Sequence, residues 1–362
     1  MIYLDYSATT KADKKVIEKF VETEEKYFAN PNSNHKLGKD SNEEIKKAIN
    51  KICNIFNIEE KELIFTSGAS ESNNTVLKGV ECSHIITTKL EHSSITTPLG
   101  YLQTKGIKVD FVALDENGLV DIENLKSLIT KENTLISIGA VNSETGIKQD
   151  IEKIGKLLKK YPNVTFHSDI TQLVGKDNIN LEDIDLASFS MHKIYGFRGI
   201  GGLIKKKHIR ITPLIHGGKS TSIYRSGTPQ TGLIISSSIA LEEAFNELEK
   251  KKEYVKMLSE YLKENIKELA LINSNEYSIP NIVNFSLKNI NSDDALEYFS
   301  ENDIFISSKT ACSSGSYSFV VNELYKDMER AENSLRVSLS YKTTKEELDI
   351  FVQKLKELVK LK

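Results

Sequence analysis

The sequence has 362 residues, 39% of them apolar and 27% charged, and its formal net charge is −3 at pH 7. A chain of this length is longer than most domains with a single hydrophobic core, so we expect a large domain with a smaller one. The near balance of charge gives no electrostatic reason to expect nucleic acid or an anionic membrane as a partner.

No segment of the sequence has the pattern of a targeting or membrane-spanning element. The first residues, MIYLDYSATT, lack a basic segment followed by a long apolar run, which argues against a signal peptide. No stretch approaches the roughly 20 apolar residues needed to span a bilayer. Three cysteines, Cys53, Cys82 and Cys312, are too few and too scattered for a disulfide framework or a zinc site. We therefore expect a reducing, cytoplasmic location and no bound metal.

Short apolar runs alternate with helical patterns over residues 60–206. The runs predict strands at 63–67, 84–88, 109–114, 135–140, 164–169, 186–190 and 201–206. Amphipathic segments at 121–129 and 151–161 predict helices between some of these strands. Buried strands that alternate with helices indicate an α/β layer with a mostly parallel sheet. In such a sheet, ligands bind at the carboxyl ends of the strands.

The C-terminal part of the chain predicts a second unit. Residues 231–269 are helical in pattern and increasingly charged, which is typical of a solvated helix face. Residues 280–362 then predict a strand, a helix, a loop around Cys312, a further strand at 335–340 and a terminal helix. We predict a large domain over 13–250, and a small domain formed by 1–12 with 251–362 that carries the cysteine loop.

Four patches at predicted strand ends carry chemistry. Residues 66–74 (TSGASESNN) run from a strand into a helix and could bind an anion, or simply cap that helix. Asp169 could pair with a protonated ring nitrogen or cap a helix. Lys193, after His192, lies in an apolar and glycine-rich setting that favours imine chemistry, although a surface lysine is the alternative. His92 is more often a structural residue when taken alone. Together they match the protein side of pyridoxal phosphate (PLP) chemistry.

The sequence resembles the cysteine desulfurases of the NifS/IscS type, in the class V aminotransferase group of fold-type-I PLP enzymes. The resemblance runs from end to end through ten patches in order. They are YLDYSATT (3–10), NPNSNHKLG (30–38), FTSGASESNN (65–74), EH (91–92), NSETG (142–146), HSDITQLVGK (167–176), SFSMHKIYG (188–196), YRSGT (224–228), TACSS (310–314) and LRVSLS (335–340). It implies a large PLP-binding domain, with a mostly parallel central sheet flanked by helices, and a smaller α+β domain.

The resemblance also implies a role for each matching residue around the PLP ring. Lys193 holds PLP through an imine and later moves the Cα proton of the substrate. Asp169 keeps the pyridine nitrogen protonated, and Gln172 hydrogen-bonds the phenolic oxygen. His92 stacks on the ring and can transfer protons.

The remaining matches concern the phosphate, the substrate and the dimer. Arg336 binds the substrate carboxylate, for which an arginine fork is suited, and Asn142 is the second residue expected to bind the substrate. Thr228 reaches the phosphate of a neighbouring subunit, which implies a homodimer. The residues expected to bind the phosphate within one chain are Ala69, Ser70, Ser190 and His192.

Cys312 has the role of sulfur carrier in this resemblance. Its thiolate attacks the sulfur of a bound L-cysteine, which leaves L-alanine, and keeps that sulfur as a persulfide for an acceptor protein. A loop of serine and glycine would allow the travel that such a transfer needs. Lys309, where the family usually has glycine, could favour the thiolate, or could simply point into water. Cys53, at helical spacing, is expected in the core.

One departure affects the cofactor contacts. Ser143 stands where the family usually has an asparagine that touches the cofactor, so that contact could be lost, or taken over by Asn142 or water. Two alternatives to cysteine desulfuration also stay open: a selenocysteine lyase, and a sulfur-relay component defined mainly by partner docking. The expected acceptor is an iron-sulfur scaffold or a tRNA-thiolating enzyme, with no direct contact to nucleic acid or membrane.

Overall fold

The computed structural model describes residues 1–59, 62–218, 222–308 and 317–361. The predicted positions Cys312 and Lys309 lie outside these residues. The strands are β1 (Ile2–Tyr3), β2 (Leu63–Thr66), β3 (His84–Thr87), β4 (Lys108–Phe111), β5 (Thr134–Ser137), β6 (Val164–Asp169), β7 (Leu186–Ser190), β8 (Gly201–Lys205), β9 (Ala270–Ile272), β10 (Ile282–Leu287), β11 (Ile304–Phe305) and β12 (Ser334–Ser338). The α-helices are α1 (Lys14–Lys26), α2 (Lys36–Phe56), α3 (Ala69–Gly79), α4 (Ser93–Gln103), α5 (Ile122–Leu128), α6 (Ile151–Leu158), α7 (Thr231–Phe245), α8 (Leu248–Ile266), α9 (Ser292–Glu301), α10 (Phe319–Tyr325), α11 (Met328–Glu332) and α12 (Lys345–Leu361).

The large sheet has the strand order β2-β8-β7-β6-β5-β3-β4 among the described residues. Strands β3 to β7 run parallel to one another, and β8 is antiparallel to its neighbours β2 and β7. This confirms the predicted α/β fold with a mostly parallel central sheet. Each predicted strand of this sheet is present, usually with an end shifted by one to three residues.

Helices cover both faces of this sheet, which is why its central strands read as continuous apolar runs. Successive side chains of a strand point to opposite faces. Ile86 and Ile136 accordingly pack in the cluster that contains residues of α2, α6 and α7. Their neighbours Ile85 and Leu135 pack in the cluster on α3 and α4. Cys53 is 4% exposed in the first of these clusters, which confirms that it belongs to the core.

A second set of strands forms around its own apolar cluster. β12, β10 and β9 make an antiparallel sheet, and β1 pairs in parallel with β11. Leu4 packs in the same cluster as residues of α8, α9 and α12. The N-terminal segment therefore packs with the C-terminal part of the chain. The predicted domain boundaries stay a prediction, and α8 runs without a break across residue 250.

Candidate active site

A cavity of about 220 Å³ opens at the carboxyl ends of the parallel strands. This is the place where α/β sheets bind ligands, because the loops after neighbouring strands meet there. The predicted site residues that line it are Ala69, Ser70, His92, Asn142, Ser143, Asp169, Gln172, Ser190, His192, Lys193 and Arg336.

Lys193 lies in a short 3₁₀ turn (Met191–Lys193) directly after β7. Its Nζ donates hydrogen bonds to the carbonyl oxygens of Ser7 at 2.6 Å and Ala8 at 2.7 Å. The N-terminal segment is held there by the backbone N–H of Thr10, which donates to the His192 carbonyl at 2.8 Å. The lysine that the sequence singles out is thus oriented by a segment nearly two hundred residues earlier in the chain.

His192 lies beside this lysine with its Nδ1 3.2 Å from the Thr9 hydroxyl. Burial of the ring, together with the nearby positive charges of Lys193 and Arg198, lowers its pKa to about 4. The imidazole is therefore neutral near pH 7. It can offer a ring N–H to an anion as a neutral donor.

Asp169 ends β6 and faces the same cavity. Its Oδ2 accepts a hydrogen bond from Asn73 Nδ2 at 2.7 Å, and its Oδ1 accepts one from the backbone N–H of Thr171 at 2.9 Å. Both carboxylate oxygens are therefore held by donors from the protein. This arrangement fixes the orientation of the negative charge at the strand end.

Gln172 has its side-chain amide oriented by its two neighbours. Lys176 Nζ donates to its Oε1 at 2.5 Å, and its Nε2 donates to the Ser7 carbonyl at 2.9 Å. The Ser7 carbonyl can only accept, so Nε2 faces Ser7, the amide oxygen faces Lys176, and the second N–H of Nε2 stays a donor. Burial and the charges of Lys193 and Arg336 lower the pKa of Lys176 to about 7.

The start of α3 forms the anion-binding end of the cavity. Gly68 precedes the helix with φ of +148°, and a Cβ there would come within 3.2 Å of the Ser190 hydroxyl. The backbone N–H of Ala69 donates to that hydroxyl at 2.7 Å. A helix N-terminus with free N–H groups favours phosphate. The glycine is needed because its backbone conformation strains a residue with a side chain.

Arg336 on β12 is the largest side chain in the fully buried set, with 1% exposure. Its Nη2 donates to Asp5 Oδ1 at 2.7 Å, and its Nη1 donates to the Ser143 carbonyl at 2.9 Å. Its buried Nε has no hydrogen-bond partner among the described residues. A buried donor without a partner is costly, so this N–H suits a ligand that accepts from it.

The backbone of Arg336 also connects the cavity to the cysteine segment. Its N–H donates to the Ser307 carbonyl at 2.6 Å, and the Ser307 N–H donates back at 3.2 Å. Ser307, five positions before Cys312 in the sequence, is therefore paired with the buried arginine.

Asn142 lines the cavity, but both polar atoms of its side-chain amide form hydrogen bonds within the protein. Its Oδ1 accepts from the backbone N–H groups of Glu144 and Thr145, both at 2.9 Å, and its Nδ2 donates to the Leu90 carbonyl at 2.9 Å. The side chain shapes the turn after Val141. A contact from Asn142 to cofactor or substrate stays a prediction, and the amide oxygen is poorly placed to provide it.

Thr228 is not brought into the cavity of its own chain. It is exposed, and it lies in the segment that Arg225 connects to α3 through an ion pair with Glu71, whose Nε–Oε1 distance is 3.0 Å. This position leaves its predicted contact with a neighbouring subunit untested. Cys312 lies outside the described residues.

Several functional neighbours were missed by sequence reasoning. Asn73, Glu91 and Lys176 lie inside the motifs FTSGASESNN, EH and HSDITQLVGK, and Ser94 follows EH by two positions. Their place in or beside these motifs is the sequence signal that points to them. Asp5 lies in YLDYSATT, and its pairing with Arg336 bridges 331 positions. No local pattern predicts a partner at that distance.

Glu91 makes one pH-dependent prediction. It lines the cavity, where its carboxylate accepts from Thr88 Oγ1 at 2.8 Å and from the Gly139 N–H at 2.9 Å. Burial raises its pKa from 4.5 to about 7, and the Asp169 charge acts in the same direction. As pH rises from about 4.5 to 7, the unfolded chain releases this proton first, so the folded protein loses stability.

Glu91→Gln removes this titration while keeping the side-chain size. We expect the stability of the variant relative to the natural protein to increase from pH 5 to pH 7.5, by at most about 3 kcal/mol. Urea unfolding of both proteins across this pH range measures the difference. A difference that is independent of pH would show that Glu91 titrates normally.

The described residues contain no helix that is long and apolar enough to cross a membrane. Within the same ranges, no group of three or more His, Cys, Asp or Glu side chains could hold a metal ion.

Comparisons with known proteins agree with this site. The aminotransferase class-V family model matches residues 2–351. The chain is 37% identical to the cysteine desulfurase IscS of Rickettsia prowazekii, over 97% of this chain and 89% of that protein. A solved NifS-like protein covers 100% of both chains at 33% identity, with a TM-score of 0.94. The structure of SspA in complex with cysteine has 31% identity and a TM-score of 0.83, over 95% of this chain and 100% of that one.

The sheet, the lysine after β7 and the carboxylate at the end of β6 define a fold-type-I PLP enzyme, and the chain belongs to the class-V aminotransferase family. Full-length similarity to relatives named as desulfurases identifies the group more closely. The chain is a member of the cysteine desulfurases of the NifS/IscS type.

PLP is the cofactor of this family, and the cavity residues fit it. The donor groups at the start of α3 and on β7 suit a phosphate, and Asp169 suits a protonated ring nitrogen. Gln172 offers an N–H for the phenolic oxygen, and Lys193 offers a primary amine. The buried hydroxyl of Thr171 also lines the cavity without a hydrogen-bond partner among the described residues.

Proposed function

We propose that this protein converts L-cysteine to L-alanine with PLP and leaves the sulfur as a persulfide on Cys312. The observation that carries the proposal is one cavity that joins Lys193 and Asp169 to the buried fork of Arg336. The first two residues suit PLP chemistry, and the third suits the carboxylate of an amino acid.

When bound, PLP supplies an electron sink for negative charge at the substrate Cα. Lys193 would hold the cofactor through Nζ and move the Cα proton. Asp169 would pair with the ring nitrogen, and Gln172 would donate to the phenolic oxygen. Ala69, Ser70, Ser190 and His192 would bind the phosphate, and His92 would contact the ring.

Arg336 would bind the substrate carboxylate with the N–H groups that Asp5 and Ser143 leave available. The Cys312 thiolate would then attack the substrate sulfur. The S–S bond forms as the substrate Cβ–S bond breaks, and Cys312 retains the sulfur. The electron pair of the broken bond would stay on the carbon side, where Cβ takes up a proton and becomes the methyl group of L-alanine. The pairing of Ser307 with Arg336 supports this role, because it brings the chain near the substrate site shortly before Cys312.

The experiment is incubation of the PLP-loaded protein with L-cysteine, and separately with L-selenocysteine, followed by quantification of alanine. Alanine from cysteine at the higher kcat/KM, together with a persulfide on Cys312 by mass spectrometry, is the expected result. Alanine from selenocysteine alone would make the protein a selenocysteine lyase. Absence of alanine from both would reject the proposal.

We also propose an iron-sulfur scaffold or a tRNA-thiolating enzyme as the sulfur acceptor, and a cytoplasmic homodimer as the state of the protein. The resemblance of YRSGT (224–228) to the family motif and the exposure of Thr228 support the dimer. In that arrangement Thr228 would reach the phosphate site of a second copy.

Thr228→Ala tests this dimer contact. Loss of a hydrogen bond to a charged phosphate is expected to weaken PLP retention about tenfold, with no change in folding. Dialysis followed by measurement of residual PLP gives the effect, and sedimentation gives the oligomeric state. Thr97→Ala, at another exposed threonine, is the control. A monomer that retains PLP fully would contradict the prediction.

A further inference from the structure

A continuous chain of hydrogen bonds connects Asp169 with His92. Asn73 Nδ2 lies 2.7 Å from Asp169 Oδ2 and 2.8 Å from Ser94 Oγ. Ser94 Oγ lies 2.8 Å from His92 Nδ1. Asn73 is fully buried, and the other three side chains line the cavity. Two residues that line the cavity, Asp169 and His92, are thereby connected through side chains that have no assigned role.

The chemistry of the groups determines the direction of the first two bonds in this chain. A carboxylate only accepts, so the amide nitrogen of Asn73 must face Asp169. The same nitrogen has a second hydrogen, which it donates to the Ser94 oxygen. The one hydrogen of the Ser94 hydroxyl is then left for His92 Nδ1, if that nitrogen is an acceptor.

The start of α4 determines the direction of this last bond. His92 is the N-cap of α4, and the backbone N–H of Ser94 donates to Nδ1 at 3.1 Å. Nδ1 thus receives two donors from one residue, and a backbone N–H cannot reverse its direction. The proton of the neutral ring must then be on Nε2, which is the nitrogen left for the cavity. Burial, the largest influence, and the Lys193 charge both lower the pKa of His92, although the Asp169 and Glu144 charges act in the opposite direction.

Asn73 keeps this orientation although its own Oδ1 is buried without a hydrogen-bond partner among the described residues. A flipped amide would place that oxygen against the Asp169 carboxylate, where two acceptors repel. The orientation is therefore set by Asp169. Asp169 thus orients Asn73, and Asn73 donates to the Ser94 hydroxyl, which leaves the hydrogen of that hydroxyl for His92 Nδ1.

We propose that Ser94 and Asn73 are positioning residues that hold His92 as the neutral Nε2–H tautomer, so that His92 serves the reaction as a hydrogen-bond donor. Uptake of a proton at Nδ1 would require both Ser94 donors to move away. The Cα proton is then left to Lys193. This inference rests on the proposed function only in treating the cavity as a PLP site.

The test uses protein labelled with ¹⁵N in the histidine rings, in the PLP-loaded and PLP-free forms. Two-bond ¹H–¹⁵N spectra report which ring nitrogen carries the proton, and His92→Gln assigns the His92 signals. An unprotonated Nδ1 and a protonated Nε2 near pH 7 are expected in the natural protein. A protonated Nδ1, or a charged ring at that pH, would overturn the proposal.

Substitutions at position 94 distinguish a positioning role of Ser94 toward His92 from a purely structural role. Ser94→Ala removes one donor to the neutral ring and is expected to raise the protonation midpoint of His92 by about one pH unit. Ser94→Thr keeps the hydroxyl and should restore the natural midpoint. Ser93→Ala, at the adjacent position, is the matched control. Equal midpoints in Ser94→Ala and Ser93→Ala would overturn the proposal.

Asn73→Ala tests the connection to Asp169. A smaller rise of the His92 midpoint is expected, because the Ser94 hydroxyl loses the donor that orients it. An unchanged midpoint in a folded Asn73→Ala protein would overturn the part assigned to Asn73. The spectra do not depend on turnover, so failure of the desulfurase assay and failure of this proposal are distinguishable.

Discussion

Replacement of Lys193 by alanine is expected to lower alanine formation from L-cysteine by at least about a thousandfold. The variant loses both the amine that would hold PLP and the base that would move the Cα proton. Two carbonyl acceptors, those of Ser7 and Ala8, orient this amine in the cavity. Among the described residues, Lys193 is the one lysine that lines the cavity.

The measurement is alanine production together with the visible absorbance of PLP attached to the protein. The Lys193→Ala protein should bind PLP only reversibly and lose the absorbance on dialysis. Lys14→Ala is the control, since that lysine side chain is 88% exposed. Turnover within tenfold of the natural protein would remove Lys193 from the mechanism.

Arg336→Lys is expected to lower kcat/KM for L-cysteine by about 10- to 100-fold, mainly through KM. Lysine can keep the charge beside Asp5, but it cannot present a fork with one N–H for the Ser143 carbonyl and others for the substrate. The arginine is buried, and its Nε is unpartnered among the described residues. A substrate carboxylate would accept from this side of the guanidinium.

Asp5→Asn separates the substrate role of the arginine from its structural role. This variant keeps the fork and weakens only the 2.7 Å ion pair. We expect it to lower the midpoint of thermal unfolding and to leave KM nearly unchanged, because it removes the charge that compensates a buried guanidinium. If Arg336→Lys binds cysteine as tightly as the natural protein, another residue binds the carboxylate.

The sequence by itself determined the architecture and the placement of the chemical groups along the chain. Apolar runs and helical periodicity are local properties, and they predicted every strand of the large sheet. Asp169 and Lys193 could be placed at strand ends because each directly follows such a run. The motifs around them were specific enough to indicate the family.

Only the tertiary structure decided which polar atoms meet. The carbonyls of Ser7 and Ala8 contact Lys193 across 186 and 185 positions, and Asn73 contacts Asp169 across 96. In the same packed structure, the Oδ1 of Asn142 accepts a hydrogen bond from the backbone N–H of Glu144. Thr228 lies outside the cavity of its own chain. Such contacts depend on how strands pair and how side chains orient in the packed core. A local pattern carries no information about partners so distant in the chain, because they are brought together only when the whole fold has formed.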